Sequence, residues 1–378
     1  MYPVDCVIIG AGVIGLGVAR SLAAKGKEVV VLESANTFGS GISSRNSEVI
    51  HGGIYYPQGS LKAELCVEGR QRLYRYCQER SIRHKRCGKL IVATSLDQLE
   101  QLRRLEIAAK RNGVGSEGDE AAQLKWMTGR EVLALEPQVY CAGALHSPDT
   151  GIVDSHELMI HLKGDAEESG AVFAFGQEVV GGQGVAGGIE LEIRDVNERS
   201  NSNLTLIAGT VVNAAGLEAV SVSECIRGQR SESIPSLRLA KGNYFKLGGK
   251  APVSRLIYPL PEPGGLGVHI TLDLEGRVRF GPDVQWIEAL DYTVDPKRSD
   301  GFYRQIRTYF KGLEDGALTP DYAGIRPKIY FDNQPYGDFL ISTDIHHGVT
   351  GLVHFYGFES PGLTSCLAIG ERVARLVF

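Results

Sequence analysis

The sequence predicts an α/β protein in which a discontinuous unit with a parallel sheet carries an inserted, mainly antiparallel β unit. Three observations predict it. The chain opens with strand, glycine turn, helix and strand: "DCVIIGAG" runs into "VIGLGVARSLAAKG", and "EVVVLES" follows. Short β-branched apolar runs of this kind suit parallel strands buried on both faces. The middle of the chain, from about Ile234 to Leu318, alternates short strands with proline and glycine ("GNYFKLGG", "RLIYPLP", "LGVHITLDLEGRVRFGPD"), as antiparallel sheets do. At 378 residues the chain also exceeds what one hydrophobic core usually sustains, so two units are expected.

After the first strand-helix-strand unit, a basic amphipathic helix is expected near Leu61 to Arg80. "KLIVAT" then reads as a strand and Leu96 to Asn112 as a polar-faced helix. In "TGIVDSHELMIHLKGDAEESG" the pattern returns to helix, with Asp154 or Ser155 as the N-cap. "AVFAFGQEVVGG", "GGIELEIRDV" and "NLTLIAGTVVNAAG" read as strands of a hairpin-rich segment, and "YGFESPGLTSCLAIG" as a glycine-bounded loop entering a last helix. The first unit is therefore expected to draw on residues 1–85, 150–233 and 325–378. Residues 86–149 and 234–324 supply the inserted one.

Composition excludes several classes of function. With 43% hydrophobic and 22% charged residues the chain reads as an ordinary globular protein, and its formal charge of -5 argues against a general nucleic-acid binder. The longest apolar run, Cys6 to Ala19, is interrupted by four glycines and falls short of the roughly 20 residues that span a bilayer. A cytoplasmic location is expected, since no basic leader precedes that run, and peripheral contact with the inner face of a membrane stays open. Seven scattered cysteines without a C-x-x-C pair suit ordinary thiols in a reducing compartment. No metal site is expected.

The turn "GAGVIG" places Gly10, Gly12 and Gly15 around Val13 and Ile14 in a G-x-G-x-x-G pattern, which makes the unit Rossmann-like. The first glycine makes the tight turn, the second lets backbone approach a pyrophosphate, and the third lets the helix pack on the sheet. The helix N-terminus then presents free N–H groups and partial positive charge to the phosphates. Glu33, followed by Ser34, ends the second strand where it would accept hydrogen bonds from an adenosine ribose. This motif does not choose between NAD and FAD. Two later stretches favour FAD: "TVVNAAG", ending in Ala215 and Gly216 where a second backbone segment would lie near the dinucleotide, and Gly362, Leu363 and Thr364 at the start of the last helix. That helix end would stabilise negative charge on a reduced flavin.

These blocks, with "SSRNSEVIHGGIYYPQGSLKAELCVEG", "CGKLIVAT", "TGIVDSHEL", "KGNYFKL", "LIYPLPEPGGLGVHITLDLEGRVRFGPD" and "GIRPKI", give the chain a resemblance that covers essentially its whole length. It resembles the D-amino-acid-oxidase superfamily of FAD-dependent oxidoreductases, and within it the L-2-hydroxyglutarate dehydrogenases and oxidases. The resemblance implies a Rossmann-like FAD-binding domain of the D-amino-acid-oxidase or glutathione-reductase type with a substrate domain inserted. It also implies that Ser43, Ser44, Arg45, Asn46 and Ser47 wrap the flavin side of the cofactor and that Val180 meets the adenine.

A flavin is a flat object, and "RNSEVIHGGIYYP" offers it His51 followed by Gly52 and Gly53, across which backbone would approach the ring. Oxidising a 2-hydroxy acid needs a base for the hydroxyl proton, and neutral imidazole, with an ordinary pKa of about 6.5, is suited to it. His51 is that base or a packed histidine that orients the flavin. His269 is the rival, since strand alternation puts it with Thr271 on one face, which lines a cavity or is a plain sheet face. Arg326 in "GIRPKI" is the expected carboxylate clamp: its planar fork makes two charge-assisted hydrogen bonds, and the similar segment of the superfamily supplies the arginine that holds the substrate α-carboxylate. A dicarboxylate needs a second anchor, for which Lys241, Tyr258 and Arg255 compete, and Tyr56 is counted among the substrate contacts.

The expected reaction is thus FAD-dependent oxidation of L-2-hydroxyglutarate to 2-oxoglutarate by hydride transfer from C2 to flavin N5. Its alternatives are a D-amino-acid or glycine oxidase, whose amine presents similar geometry, and a non-catalytic FAD-binding redox sensor. The sequence is silent on the electron acceptor, for which oxygen, a quinone and an electron-transfer flavoprotein all stay open.

Overall fold

Val4–Ile9, with its inner residues buried, enters helix Val13–Ala23, and the chain returns as Val29–Glu33 parallel to the first strand. This computed structural model describes residues 4–116, 118–197, 203–249, 252–260 and 267–378. Among the described residues one sheet has nine strands. Its parallel part runs Val172–Phe175, Val29–Glu33, Val4–Ile9, Leu204–Asn213 and Leu352–Tyr356. Strand Leu204–Asn213 changes partner along its length: its first half pairs antiparallel with Gly188–Asp195, while its last residues pair with Leu352–Tyr356. The expected hairpin is formed by Gln177–Val185 and Gly188–Asp195. "AVFAFGQEVVGG" is two strands rather than one, because Gly176 between them adopts φ +72.

Helices Leu61–Glu79 and Ser155–Glu168 lie where the sequence places them, capped by the side chains of Ser60 and Asp154. Over Leu96 to Asn112, a 3-10 turn (Leu96–Gln98) precedes helix Leu99–Arg111. The C-terminal helix Gly362–Val377 crosses the first helix at a point where a Cβ on Gly370 would lie 2.3 Å from the Gly17 carbonyl oxygen. That contact sets the start of the last helix against the glycine turn.

The second sheet has ten strands among the described residues and is antiparallel except where Leu256–Pro259 pairs with Lys89–Ala93. Its longest pairing joins Ser236–Leu247 to Leu318–Phe331. The division expected at residue 325 falls inside that last strand, which continues unbroken in the second sheet, since each step to Tyr330 pairs with a residue of Ser236–Leu247. Residues 261–266 of the quoted "LIYPLPEPGGLGVHITLD" block lie outside the described residues.

Candidate active site

The glycine turn is shaped for close backbone approach. Gly10 takes φ +101, and a Cβ on it would lie 2.7 Å from the Ala214 carbonyl oxygen. Gly12 is the helix N-cap and contributes no capping side chain; the Val13 N–H donates to Ser43 Oγ at 2.9 Å. Glu33 accepts the N–H groups of Ala11 and Ala35, each at 2.8 Å, and a carboxylate so held still has lone pairs for a ribose.

These groups line a cavity of about 660 Å³, within the usual range for small-molecule and cofactor sites. Gly10, Gly12, Val13, Ile14, Glu33 and Ser34 wall one part of it. Ser43, Arg45, Asn46, Ser47, Val180, Ala215, Gly216, Gly362, Leu363 and His51 wall the rest. A glycine cradle that a Cβ would fill, a helix start whose N-cap Gly12 brings no capping side chain and a fixed carboxylate at a strand end together fit an adenine dinucleotide. Gly10→Ala combines the clash with a backbone that L-residues rarely adopt, at about 1–3 kcal/mol of strain. The variant is expected to purify with most of its flavin missing, read from the ratio of flavin to protein absorbance; full flavin content would show that the turn does not carry the cofactor.

Five expected cofactor contacts lie outside the cavity lining. A Cβ on Gly15 would sit 2.0 Å from the Gly10 carbonyl oxygen, so this glycine closes the turn on itself. The Ser44 hydroxyl is turned to the carbonyls of Ser40 and Gly41. Gly52 faces Ile54 and Ser147, and Gly53, at φ +83, faces Val67. On the side where a Cβ would stand, both glycines meet protein side chains. The Gly52 carbonyl instead accepts from the buried Arg70 at 2.8 Å. Thr364 is buried; its Oγ1 accepts the His51 N–H at 2.9 Å and donates to the Val49 carbonyl at 3.3 Å, which ties the last helix to the His51 segment.

A second cavity of about 170 Å³ shares His51, Arg326, Glu359 and Ser360 with the first. It brings His51, Tyr56, Tyr258, His269 and Arg326 together from separate parts of the chain. His51 Nε2 lies 3.1 Å from Ser360 Oγ. Burial, reinforced by the charges of Lys89 and His269, pushes the His51 imidazole down to about 3, so the ring is neutral. His269 stacks on Tyr258 with ring centroids 3.6 Å apart. Burial raises the Tyr56 and Tyr258 phenols well out of the physiological range, so they stay protonated donors. Arg326 Nη2 donates to the Asp283 carbonyl at 3.2 Å. Burial alone would raise the Glu359 carboxyl, but Lys62 at 3.0 Å and Lys328 at 2.5 Å hold it below its usual range.

Thr271, Lys241 and Arg255 are not in this group. Thr271 shares a face with His269, but two steps along a strand carry it about 7 Å further on, where its hydroxyl donates to the Arg279 carbonyl. Lys241 is buried with Nζ on Asp291 (2.6 Å) and the Thr293 carbonyl, so its charge is already answered. Arg255 pairs with Glu136 at 2.9 Å. Conversely, Tyr55, Lys62, Glu359 and Ser360 line the small cavity without having been singled out. The available signals were weak: the first tyrosine of "IYYP" and an acid just before the "PGLT" turn.

Residues 5–376 match the family described as FAD dependent oxidoreductase, and the chain belongs to that family. Its cofactor is FAD. It is 44% identical to the mitochondrial L-2-hydroxyglutarate dehydrogenase of Arabidopsis thaliana, over 98% of this chain and 83% of that protein. It is 30% identical to a glycerol 3-phosphate dehydrogenase of Caloramator mitchellensis, over 99% of this chain and 73% of that one. The L-α-glycerophosphate oxidase of Mycoplasma pneumoniae, solved with FAD bound, shares the fold with a TM-score of 0.85 at 23% identity, covering 100% of this chain and 95% of that one. Among the described residues, no helix is long and apolar enough to cross a membrane.

Proposed function

We propose that this protein oxidises L-2-hydroxyglutarate to 2-oxoglutarate. The observation that carries the reading is the junction of the two cavities, where a neutral imidazole and an arginine without an ion-pair partner among the described residues face the same space, together with the 44% identity to a dehydrogenase of that name. When bound, FAD supplies the hydride acceptor, N5 of its flavin ring. Arg326 takes the carboxylate beside the carbinol carbon through its fork of N–H groups and so presents the hydroxyl to His51. His51 Nε2 accepts the hydroxyl proton, with Ser360 Oγ orienting the ring. The rings of Tyr55, Tyr56 and Tyr258 give the small cavity aromatic walls. Reoxidation of the reduced flavoprotein by oxygen, a quinone and an electron-transfer flavoprotein, each mixed with it in turn, identifies the acceptor by the fastest return of the flavin band.

The test is an anaerobic visible spectrum of the flavoprotein before and after addition of L-2-hydroxyglutarate, with the D-enantiomer, glycerol 3-phosphate and D-amino acids added in parallel. Loss of the flavin band near about 450 nm with the L-hydroxy acid alone is expected. Bleaching by glycerol 3-phosphate or an amino acid instead would overturn the substrate, and no bleaching by any addition would make the flavin non-catalytic.

A pH dependence follows from the depressed imidazole. The neutral, proton-accepting form of His51 is present above about pH 3 and is lost only below it. Second-order flavin reduction, which reports the free enzyme, is therefore expected to show no acid limb from His51 between about pH 5 and 8. A limb centred near the ordinary imidazole value, about 6.5, would show that the base is a different group.

A further inference from the structure

Lys89 opens the strand Lys89–Ala93, all of whose residues are buried, and is itself 0% exposed. Among the described residues its Nζ has no hydrogen-bond partner, and neither does the buried hydroxyl of Tyr55. The ammonium lies 4.6 Å from the centre of the Tyr55 ring and 4.8 Å from that of Tyr258, and both rings wall the small cavity. Tyr258 is in turn braced by its stack on His269.

Two neighbouring buried groups, one a donor only and the other able to donate, thus lack an acceptor. An ammonium has three N–H groups and no lone pair, and a phenol O–H without a partner costs its full desolvation. Lys62 and Arg326 line the cavity, and Lys89 lies against two of its walls, the rings of Tyr55 and Tyr258. Lys62 is paired with Glu359, whereas Arg326 and Lys89 make no ion pair among the described residues. A ligand with one carboxylate satisfies only one of these two cations. A dicarboxylate satisfies both.

We propose that Lys89 and the Tyr55 hydroxyl form the second carboxylate site, which holds the distal carboxylate of the substrate while Arg326 holds the one beside the carbinol carbon. This rests on the substrate reading above. The site makes the protein selective for a diacid, since a substrate ending in a methyl group leaves two buried donors unanswered. Burial lowers Lys89 to about 7, and an arriving carboxylate restores its full protonation. Because the Lys89 charge also depresses His51, its neutralisation by the distal carboxylate makes His51 a stronger base once substrate is in place.

The holoenzyme and its Lys89→Met and Tyr55→Phe variants, each matched for FAD content and melting temperature, are compared in anaerobic flavin reduction by L-2-hydroxyglutarate and L-2-hydroxyvalerate. The second compound keeps the five-carbon chain and replaces the distal carboxylate by a methyl group. The expected preference of the unmodified protein for the diacid is about 100-fold or more, and this ratio is expected to fall by about 30-fold in Lys89→Met and about fivefold in Tyr55→Phe. If both variants keep the original preference, the second site lies elsewhere while the substrate reading stands. If the unmodified protein is not reduced by the diacid, the substrate reading fails and takes this inference with it. Should Lys89→Met fail to hold FAD, Tyr55→Phe decides by the same ratio.

Discussion

Arg326→Ala is expected to weaken binding of 2-oxoglutarate, followed by the shift it causes in the flavin spectrum, by on the order of 2–4 kcal/mol, with FAD content unchanged. Arg326 sits opposite Ala240 in the long strand pair of the second sheet, and it lines both cavities. The Asp283 carbonyl holds one arm of its guanidinium, and Gly242 leaves that arm room, since a Cβ there would lie 3.0 Å from Nη2. Truncation removes the proposed partner of a carboxylate at a half-buried position, where the loss exceeds that of a surface pair. Arg326→Lys should recover only part of the affinity, because an ammonium cannot reproduce the fork. Unchanged affinity in the alanine variant would take Arg326 out of the substrate site.

His51→Ala is expected to slow anaerobic flavin reduction by L-2-hydroxyglutarate by about 100-fold or more, the effect of deleting a general base, while affinity for 2-oxoglutarate changes far less. The separation of the two effects matters, because the His51 backbone is also structural: its N–H is held by Thr364 and the next carbonyl by Arg70. Those bonds survive the substitution, so a fall in rate reports the imidazole. A reduction rate changed by less than about threefold would hand the proton to His269, which shares the small cavity.

Much of this could be read before any coordinates. The glycine turn, Glu33 and the start of the last helix are local patterns, in which spacing along a strand or helix dictates what one short segment presents. Each of them lines the large cavity where expected, as do His51 and Arg326. The errors came where a local pattern was asked to predict a contact across the fold. Gly52 and Gly53 followed a histidine in the manner of a ring-facing turn, yet helix Leu61–Glu79 supplies the Val67 side chain that occupies the space beside Gly53. Lys241 and Arg255 carry the right charge for a second anchor, but Asp291 and Glu136, distant in the chain, already answer it.

By itself the sequence determined the two kinds of sheet, the dinucleotide cradle, the flavin-dependent family and a histidine and arginine worth testing, because each is written in contiguous residues. Only the tertiary structure decided which cations are available to a substrate. That depends on whether a carboxylate from elsewhere in the chain comes within ion-pair distance. Lys62 meets Glu359, Lys241 meets Asp291, and Lys89, first residue of an otherwise apolar strand, meets neither acid nor acceptor among the described residues and is left facing two tyrosines at the small cavity.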